Sequence, residues 1–171
     1  MDLGSNILKT ARLTVKPMDE ADSSAVQQIL THRSVIRTYM VPDLSPEQEE
    51  RLFRRLKDLS WDTSRYVRGI YLNGQLIGFL NDTEITGEYL ELGWALHPAY
   101  HNQGYATEAV SAAIADLFSM GVPAVLAGAF DWNVPSIRVM EKCGMKKILN
   151  TDTIEYRGNA HTCVYYRADR P

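Results

Sequence analysis

The run His101-Asn102-Gln103-Gly104-Tyr105-Ala106-Thr107-Glu108-Ala109 places a glycine turn directly before a helix-patterned segment. Backbone N–H groups at a helix start have no partner within the helix, and the positive end of the helix dipole attracts anions. Such a junction can hold a pyrophosphate. Just before it, Tyr89 to Leu96 alternates apolar with small or polar residues, so Leu90, Leu92, Trp94 and Leu96 line one strand face. Glu91 then turns to the other face, where a carboxylate is a candidate proton acceptor. Asn133-Val134-Pro135-Ser136 has the form of an N-cap followed by a first-turn proline. The four histidines lack metal-ligand spacing, so no metal is expected. Cys143 and Cys163 form no C-x-x-C pair and read as structural thiols in a reduced compartment.

With 171 residues, 45% hydrophobic and 23% charged, the chain suits one domain with a sizeable core over residues 1–171. The formal charge of -3 argues against a dedicated nucleic-acid binder. The start of the chain lacks a basic segment leading into an apolar run, and no stretch approaches the roughly 18 apolar residues of a membrane span. A soluble, cytoplasmic protein is expected, with no direct nucleic-acid or membrane partner.

The elements that must position these groups follow from local pattern. Leu13 to Lys16 reads as a short strand ended by Pro17. Asp22 or Ser23 caps a helix through about Leu30, and Ser45-Pro46 opens another through about Leu59; His32 to Leu44 between them is less regular. Tyr66 to Leu72 and Gln75 to Asn81 flank Asn73-Gly74, a type I′ hairpin signal. From Gly104 the positions Ala106, Ala109, Val110, Ala113, Ile114, Leu117 and Phe118 keep helical spacing until Gly121. Ala124 to Phe130 is a buried-type strand, parallel to the one ending at Leu96 through a right-handed crossover. A helix from Asn133 to Gly144 and strands at Lys146 to Tyr156 and His161 to Ala168 complete the pattern.

This order resembles the GNAT superfamily of acyl-CoA-dependent N-acetyltransferases over nearly the whole chain. The superfamily's pyrophosphate loop, Q/R-x-x-G-x-G/A, aligns with His101, Gly104 and Ala106, with histidine where glutamine or arginine is usual. Thr10-Ala11-Arg12-Leu13, Gly104-Tyr105-Ala106-Thr107-Glu108-Ala109 and Ser136-Ile137-Arg138-Val139-Met140-Glu141-Lys142 are most similar to the RimJ/RimL branch, which includes enzymes acetylating ribosomal-protein N-termini. The resemblance implies an α/β fold with a mixed, mostly antiparallel seven-stranded sheet, splayed between its fourth and fifth strands and flanked by about four helices.

It also implies acetyl-CoA as co-substrate. The backbone of Leu96 and His97 would pair with the pantetheine arm, Gln103, Gly104, Tyr105, Ala106 and Thr107 would meet the pyrophosphate, and Asn133 would bond the arm near the thiol. Ser136 would assist the departing thiolate, because Met140 holds the position where many members carry a tyrosine and cannot donate a proton. Glu155 matches a carboxylate proposed as base in that branch, beside Glu91 as the alternative. Arg138 and Lys142, one helical turn apart, can approach phosphates or simply solvate the surface. The acceptor cleft would be bordered by His32 to Leu44 and by the turn at Arg157 to Ala160. The implied acceptor is an amine, a protein N-terminus or a small molecule such as a polyamine, amino acid or aminoglycoside. A non-catalytic acyl-CoA-binding regulator is the alternative from another class. The implied assembly is a monomer or homodimer.

Overall fold

A left-handed pair at Asn73 (φ 50°) and Gly74 (φ 81°) joins strands Arg68–Leu72 and Gln75–Ile85, as the Asn-Gly signal requires. The computed structural model describes residues 2–171. Its strands are β1 (Leu8–Lys9), β2 (Leu13–Lys16), β3 (Arg68–Leu72), β4 (Gln75–Ile85), β5 (Leu90–Leu96), β6 (Ala124–Phe130), β7 (Lys146–Tyr156) and β8 (Asn159–Asp169). The α-helices are α1 (Ser23–Thr31), α2 (Arg33–Ile36), α3 (Pro46–Trp61), α4 (Tyr105–Ser119) and α5 (Val134–Lys142). Ser45 and Gln48 close a reciprocal capping box at the start of α3.

One sheet runs in the order β1-β2-β3-β4-β5-β6-β8-β7, and only the β5–β6 contact is parallel. The sheet therefore has eight described strands rather than seven. The addition is the two-residue β1, which pairs Leu8 with Val15 and Lys9 with Thr14 and has too little length to show a pattern. The fifth helix is the four-residue α2, inside the segment that sequence pattern left irregular; His32 caps it through Nδ1, an uncommon capping group. β4 extends four residues past Asn81, across a bulge between Asp82 and Glu84.

Each sheet face carries its own core. Leu90, Leu92, Val125 and Ala127 pack with Val110, Ala113 and Leu117 of α4 and Met140 of α5. Val67, Phe79 and Ala95 face the other way and pack with Val26 and Ile29 of α1 and Phe53 of α3. The α4 residues buried against the sheet, Ala109, Val110, Ala113, Ile114 and Leu117, fall on the apolar stripe read from the sequence. Each large aliphatic side chain removed from water there contributes about 1.5–3 kcal/mol. The strands between the two layers are thereby fixed from both sides, except where β5 and β6 part.

Candidate active site

β5 and β6 pair only at Leu90 with Val125 and Glu91 with Leu126. Beyond Glu91 the parallel ladder stops, and the two strands diverge toward their C-terminal ends. On its other edge β5 stays bonded to β4 through Leu96 opposite Gly78. Gly78 permits that approach, since a Cβ there would lie 2.5 Å from the Ala95 carbonyl oxygen. The His97 N–H donates to the Ile77 carbonyl at 2.8 Å, toward β4. By the alternation of backbone groups along a strand, Leu96 directs its N–H and C=O into the gap.

His101 answers one of those two groups. Its Nε2 lies 2.8 Å from the Leu96 carbonyl oxygen, a bond that requires the proton on Nε2. The histidine that departs from the loop pattern thus ties the end of β5 to the glycine turn and leaves the Leu96 N–H facing the gap. Gly104 follows in the left-handed region (φ 81°) as the N-cap of α4, with no side-chain cap bond. The Glu108 N–H reaches the Gly104 carbonyl, while the N–H groups of Tyr105, Ala106 and Thr107 have no partner among the described residues. A Cβ on Gly104 would meet Arg12 Nη2 at 3.2 Å.

That arginine belongs to a clasp which spacing alone did not reveal. Arg12 donates from Nε to Glu108 Oε2 at 2.7 Å and from its backbone N–H to Oε1 at 2.8 Å, and Thr10 donates to Oε1 at 2.6 Å. Arg12 Nη1 also bonds the Gln103 carbonyl at 2.9 Å, and the guanidinium lies over the Tyr105 ring. Burial alone would raise the Glu108 carboxyl, but the bonds from Thr10 and Arg12 outweigh it and hold it below the ordinary value. Two of the sequence segments that carried the family resemblance are therefore in contact, 96 residues apart.

On the far side of the gap, Asn133 caps α5. Its Oδ1 lies 3.5 Å from the Ser136 N–H, and its Nδ2 donates to Ser136 Oγ at 3.0 Å. A serine oxygen that accepts this bond keeps its own proton free to donate. Met140, one turn on, is fully buried in the core. Ser111 of α4 donates to Cys143 Sγ at 3.2 Å, linking the two helices, and burial pushes the Cys143 thiol up.

The gap opens into a cleft of about 610 Å³ whose lining includes Leu96, Gly104, Tyr105, Ala106, Thr107, Asn133 and Ser136. This unpaired strand edge, a helix N-terminus with free amides and the cations Arg138 and Lys142 together fit an amide-bearing arm that ends in phosphates. Residues 12–146 match the Acetyltransferase (GNAT) domain family. The chain belongs to the GNAT family. It is similar to the uncharacterized N-acetyltransferase YnaD of Bacillus subtilis (strain 168), at 28% identity over 142 residues and 82% of each chain. Its fold is also that of a GNAT-family acetyltransferase from Bacillus anthracis (TM-score 0.84, 24% identity, 96% of this chain and 99% of that one). RimL, a ribosomal L7/L12 alpha-N-protein acetyltransferase solved in complex with coenzyme A, shares the fold at TM-score 0.85 and 15% identity, over 96% of this chain and 98% of that one. This GNAT protein is an N-acetyltransferase.

Other expected site residues lie outside the lining. His97 caps the short turn Pro98–Tyr100, its Nδ1 accepting from the Ala99 N–H at 3.2 Å, and its ring meets His32 edge-on. Burial first, then His32 and His101, lowers its pKa. Gln103 donates its amide to the Ala99 carbonyl and gives its own carbonyl to Arg12. Glu91 is half-buried on the α1–α3 side of the sheet, on the same strand face as Ala95 of the lining. Burial first, then Glu84, raises its carboxyl. Glu155 is exposed on β7, and its neighbour Tyr156 reaches the carbonyls of Ile36 and Val41 instead.

The second wall of the cleft comes from Ser34, Val35, Arg37, Thr38, Tyr39 and Trp132. It is fastened from outside by the β7–β8 turn, where Arg157 pairs with Asp43 at 2.8 Å and donates to the Val41 carbonyl at 3.0 Å. The two segments expected to border the acceptor are thus joined to one another. Tyr156, Arg157, Arg37 and Trp132 escaped sequence reasoning in these roles because no local pattern links them.

Proposed function

We propose that this GNAT protein transfers an acetyl group from acetyl-CoA to the α-amine at a protein or peptide N-terminus, by direct attack in a ternary complex. The observation that carries the reading is the parting of β5 and β6 after Glu91, beside the free first-turn amides of α4. The pantetheine arm adds along β5, bonding the Leu96 N–H, and the pyrophosphate rests on Tyr105 to Thr107 with Arg138 and Lys142 close by. Fold-level likeness to RimL supports the choice of an N-terminal acceptor, in line with the RimJ/RimL-like wording of the sequence.

The amine lone pair attacks the thioester carbonyl, the C–S bond breaks, and the nitrogen gives up one proton. Ser136, held by Asn133, donates a hydrogen bond to the departing sulfur, which leaves as the thiolate while the serine keeps its proton. A reference thiol pKa of about 8.5 makes the thiolate a tolerable leaving group with hydrogen-bond help alone. With reference pKa values of about 7.7 to 8.0, roughly 10 to 17% of an α-amine is neutral at pH 7, against about 0.04% of a lysine. An α-amine therefore asks little of a base. Glu91 is the candidate base only through a relay of several waters, since four residues along the strand from Ala95 it lies about 13 Å away at roughly 3.3 Å per residue, beyond the reach of a single water. Glu155 is the alternative base.

A thiol-release assay with acetyl-CoA against N-terminal peptides, polyamines and aminoglycosides tests the reading. Release with peptides is expected. Release confined to polyamines or aminoglycosides would replace the peptide with a small molecule. Tight acetyl-CoA binding with no release across the panel would make the protein a binding module.

A further inference from the structure

Three ionised side chains line the cleft, Arg37, Arg138 and Lys142, and no carboxylate is among the lining residues. In a chain whose formal charge is -3, that is a local reversal of sign. Arg138 and Lys142 lie on α5, beside the start of α4, and are accounted for by the phosphates of the donor. Arg37 is not. It follows α2, which enters from the opposite side of the sheet, and its guanidinium has no carboxylate partner among the described residues.

Arg37 is exposed, and one aromatic ring orients it. Its guanidinium carbon lies 5.6 Å from the centre of the Trp132 ring. The Trp132 indole N–H donates to His161 Nδ1 at 3.2 Å, and the His161 ring stacks on Phe130 at 4.5 Å. Phe130 closes β6 and Trp132 immediately precedes Asn133, so the stack stands on the same turn that positions the thiol end of the cleft. Ser34 and Thr38 also line this wall, but their hydroxyls are turned to His32 Nδ1 and to the Val35 carbonyl, which leaves the guanidinium as its free donor. A guanidinium that stands over an aromatic ring without a carboxylate partner matches the planar, two-oxygen geometry of a carboxylate.

We propose that Arg37, oriented by Trp132, selects acceptors that carry an anionic group close to the reacting amine, in the first instance an acidic side chain at the second or third residue of a peptide N-terminus. At roughly 3.3 Å per extended residue, those positions bring their side chains into the wall opposite the thioester. The inference rests on the peptide-acetylating reading above and names the kind of peptide. Polycationic amines are correspondingly disfavoured by a cleft with no acid to receive them.

The test compares kcat/KM for peptides of one length that begin with Ser and then carry two Asp, two Asn or two Lys, with an amino acid and its amide as a small-molecule pair. The acidic peptide is expected to exceed the neutral one about five- to tenfold at low ionic strength, the scale of a charge-assisted contact partly open to solvent. The preference should shrink in 0.5 M salt, roughly, because exposed charges are then screened within a few ångströms. In Arg37→Gln the acidic-to-neutral ratio should fall to near one, and in Arg37→Glu the order should invert toward the Lys peptide. A wild-type ratio near one, or a ratio that Arg37→Gln leaves in place, would overturn the proposal while peptide acetylation stands. A carboxylate effect seen only in the amino acid pair, with no peptide acetylated, would keep the anion rule and remove the peptide. Thiol release with none of these acceptors would remove both.

Discussion

On the α4–α5 wall of the cleft, the groups offered to a ligand are backbone amides, set by a strand that runs out of partners and a helix that begins at a glycine. On the opposite wall they are side chains: Arg37, Thr38 and Tyr39, on a short segment after α2 that the distant β7–β8 turn fastens, and Trp132 from the turn between β6 and α5. The first wall therefore suits a ligand with amides and phosphates that does not change, and it is anchored because β5 packs into both cores and α4 lays its apolar stripe on the sheet. Apart from Tyr39, which packs on Phe79 of the α1–α3 core, the second can vary its side chains without disturbing either core. Substitutions on the first wall should act on donor binding, and substitutions on the second on acceptor use.

The largest separation is expected from Gly104→Val. A branched side chain at φ 81° is strained by about 1–2 kcal/mol, and its Cβ would press on Arg12 Nη2. The first-turn amides would turn away from the phosphates. Calorimetric titration with coenzyme A should show affinity lowered at least about tenfold, the size of 1.4 kcal/mol, while acceptor KM at saturating donor changes little. An equal rise in both constants would mean that the two walls are not independent.

Tyr156→Phe probes the other wall. The hydroxyl lies 3.1 Å from the Val41 carbonyl oxygen and 3.3 Å from the Val41 nitrogen, and it also bonds the Ile36 carbonyl. Removing it leaves part-buried backbone groups unpaired, at a cost of about 1–3 kcal/mol if the segment stays in place. The segment should loosen instead. Acceptor KM is expected to rise several-fold with coenzyme A affinity held within about twofold, because no donor contact is touched.

The same contrast explains what the sequence disclosed. Gly104, the apolar stripe of α4 and the Asn133 cap are local signals, each contained within one or two turns of chain. The splay was legible only through family resemblance, since no residue pattern says where a ladder stops. The bond from His101 to Leu96, five residues apart, was hidden by the choice of histidine, which hydrogen-bonds at a site where the pattern asks for glutamine or arginine. Contacts between Tyr156 and Ile36, 120 residues apart, depend on the whole sheet being assembled. The same holds for the stack under Arg37, which joins α2, the end of β6 and β8. Helix α2 itself is too short for periodicity, and its cap is a histidine.

Glu108→Gln tests how far the N-terminal hairpin supports the donor wall. The variant keeps an acceptor for Thr10 but loses the charge that holds Arg12, at a cost of about 1 kcal/mol once screening of the half-exposed guanidinium is allowed for. The wild-type carboxyl has a folded pKa below its unfolded value of about 4.3. Its contribution to stability is therefore present above that pH and lost as pH falls through the folded value. Thermal unfolding should show the variant below wild type at pH 7 and the two converging below about pH 4. A constant difference across that window would place the support in packing rather than in the charge.

Glu91→Gln carries the smallest expected effect and reports on the border between the walls. Burial, then Glu84, raises the folded carboxyl above its unfolded value, so the ionised form is disfavoured in the native protein. The stability tied to that carboxyl is present below about pH 4 and lost as pH rises through the raised value. Replacement by glutamine should therefore leave stability unchanged in acid and raise it slightly at pH 7. Activity runs the opposite way. If Glu91 takes the amine proton through a relay of waters, kcat/KM should fall modestly at low pH and recover as pH approaches the amine's own value near 8, where the acceptor arrives neutral. A loss that stays constant into alkaline pH would assign Glu91 to packing at the point where β5 and β6 part. A gain in stability with no change in the pH profile would move the base role to Glu155 or to solvent.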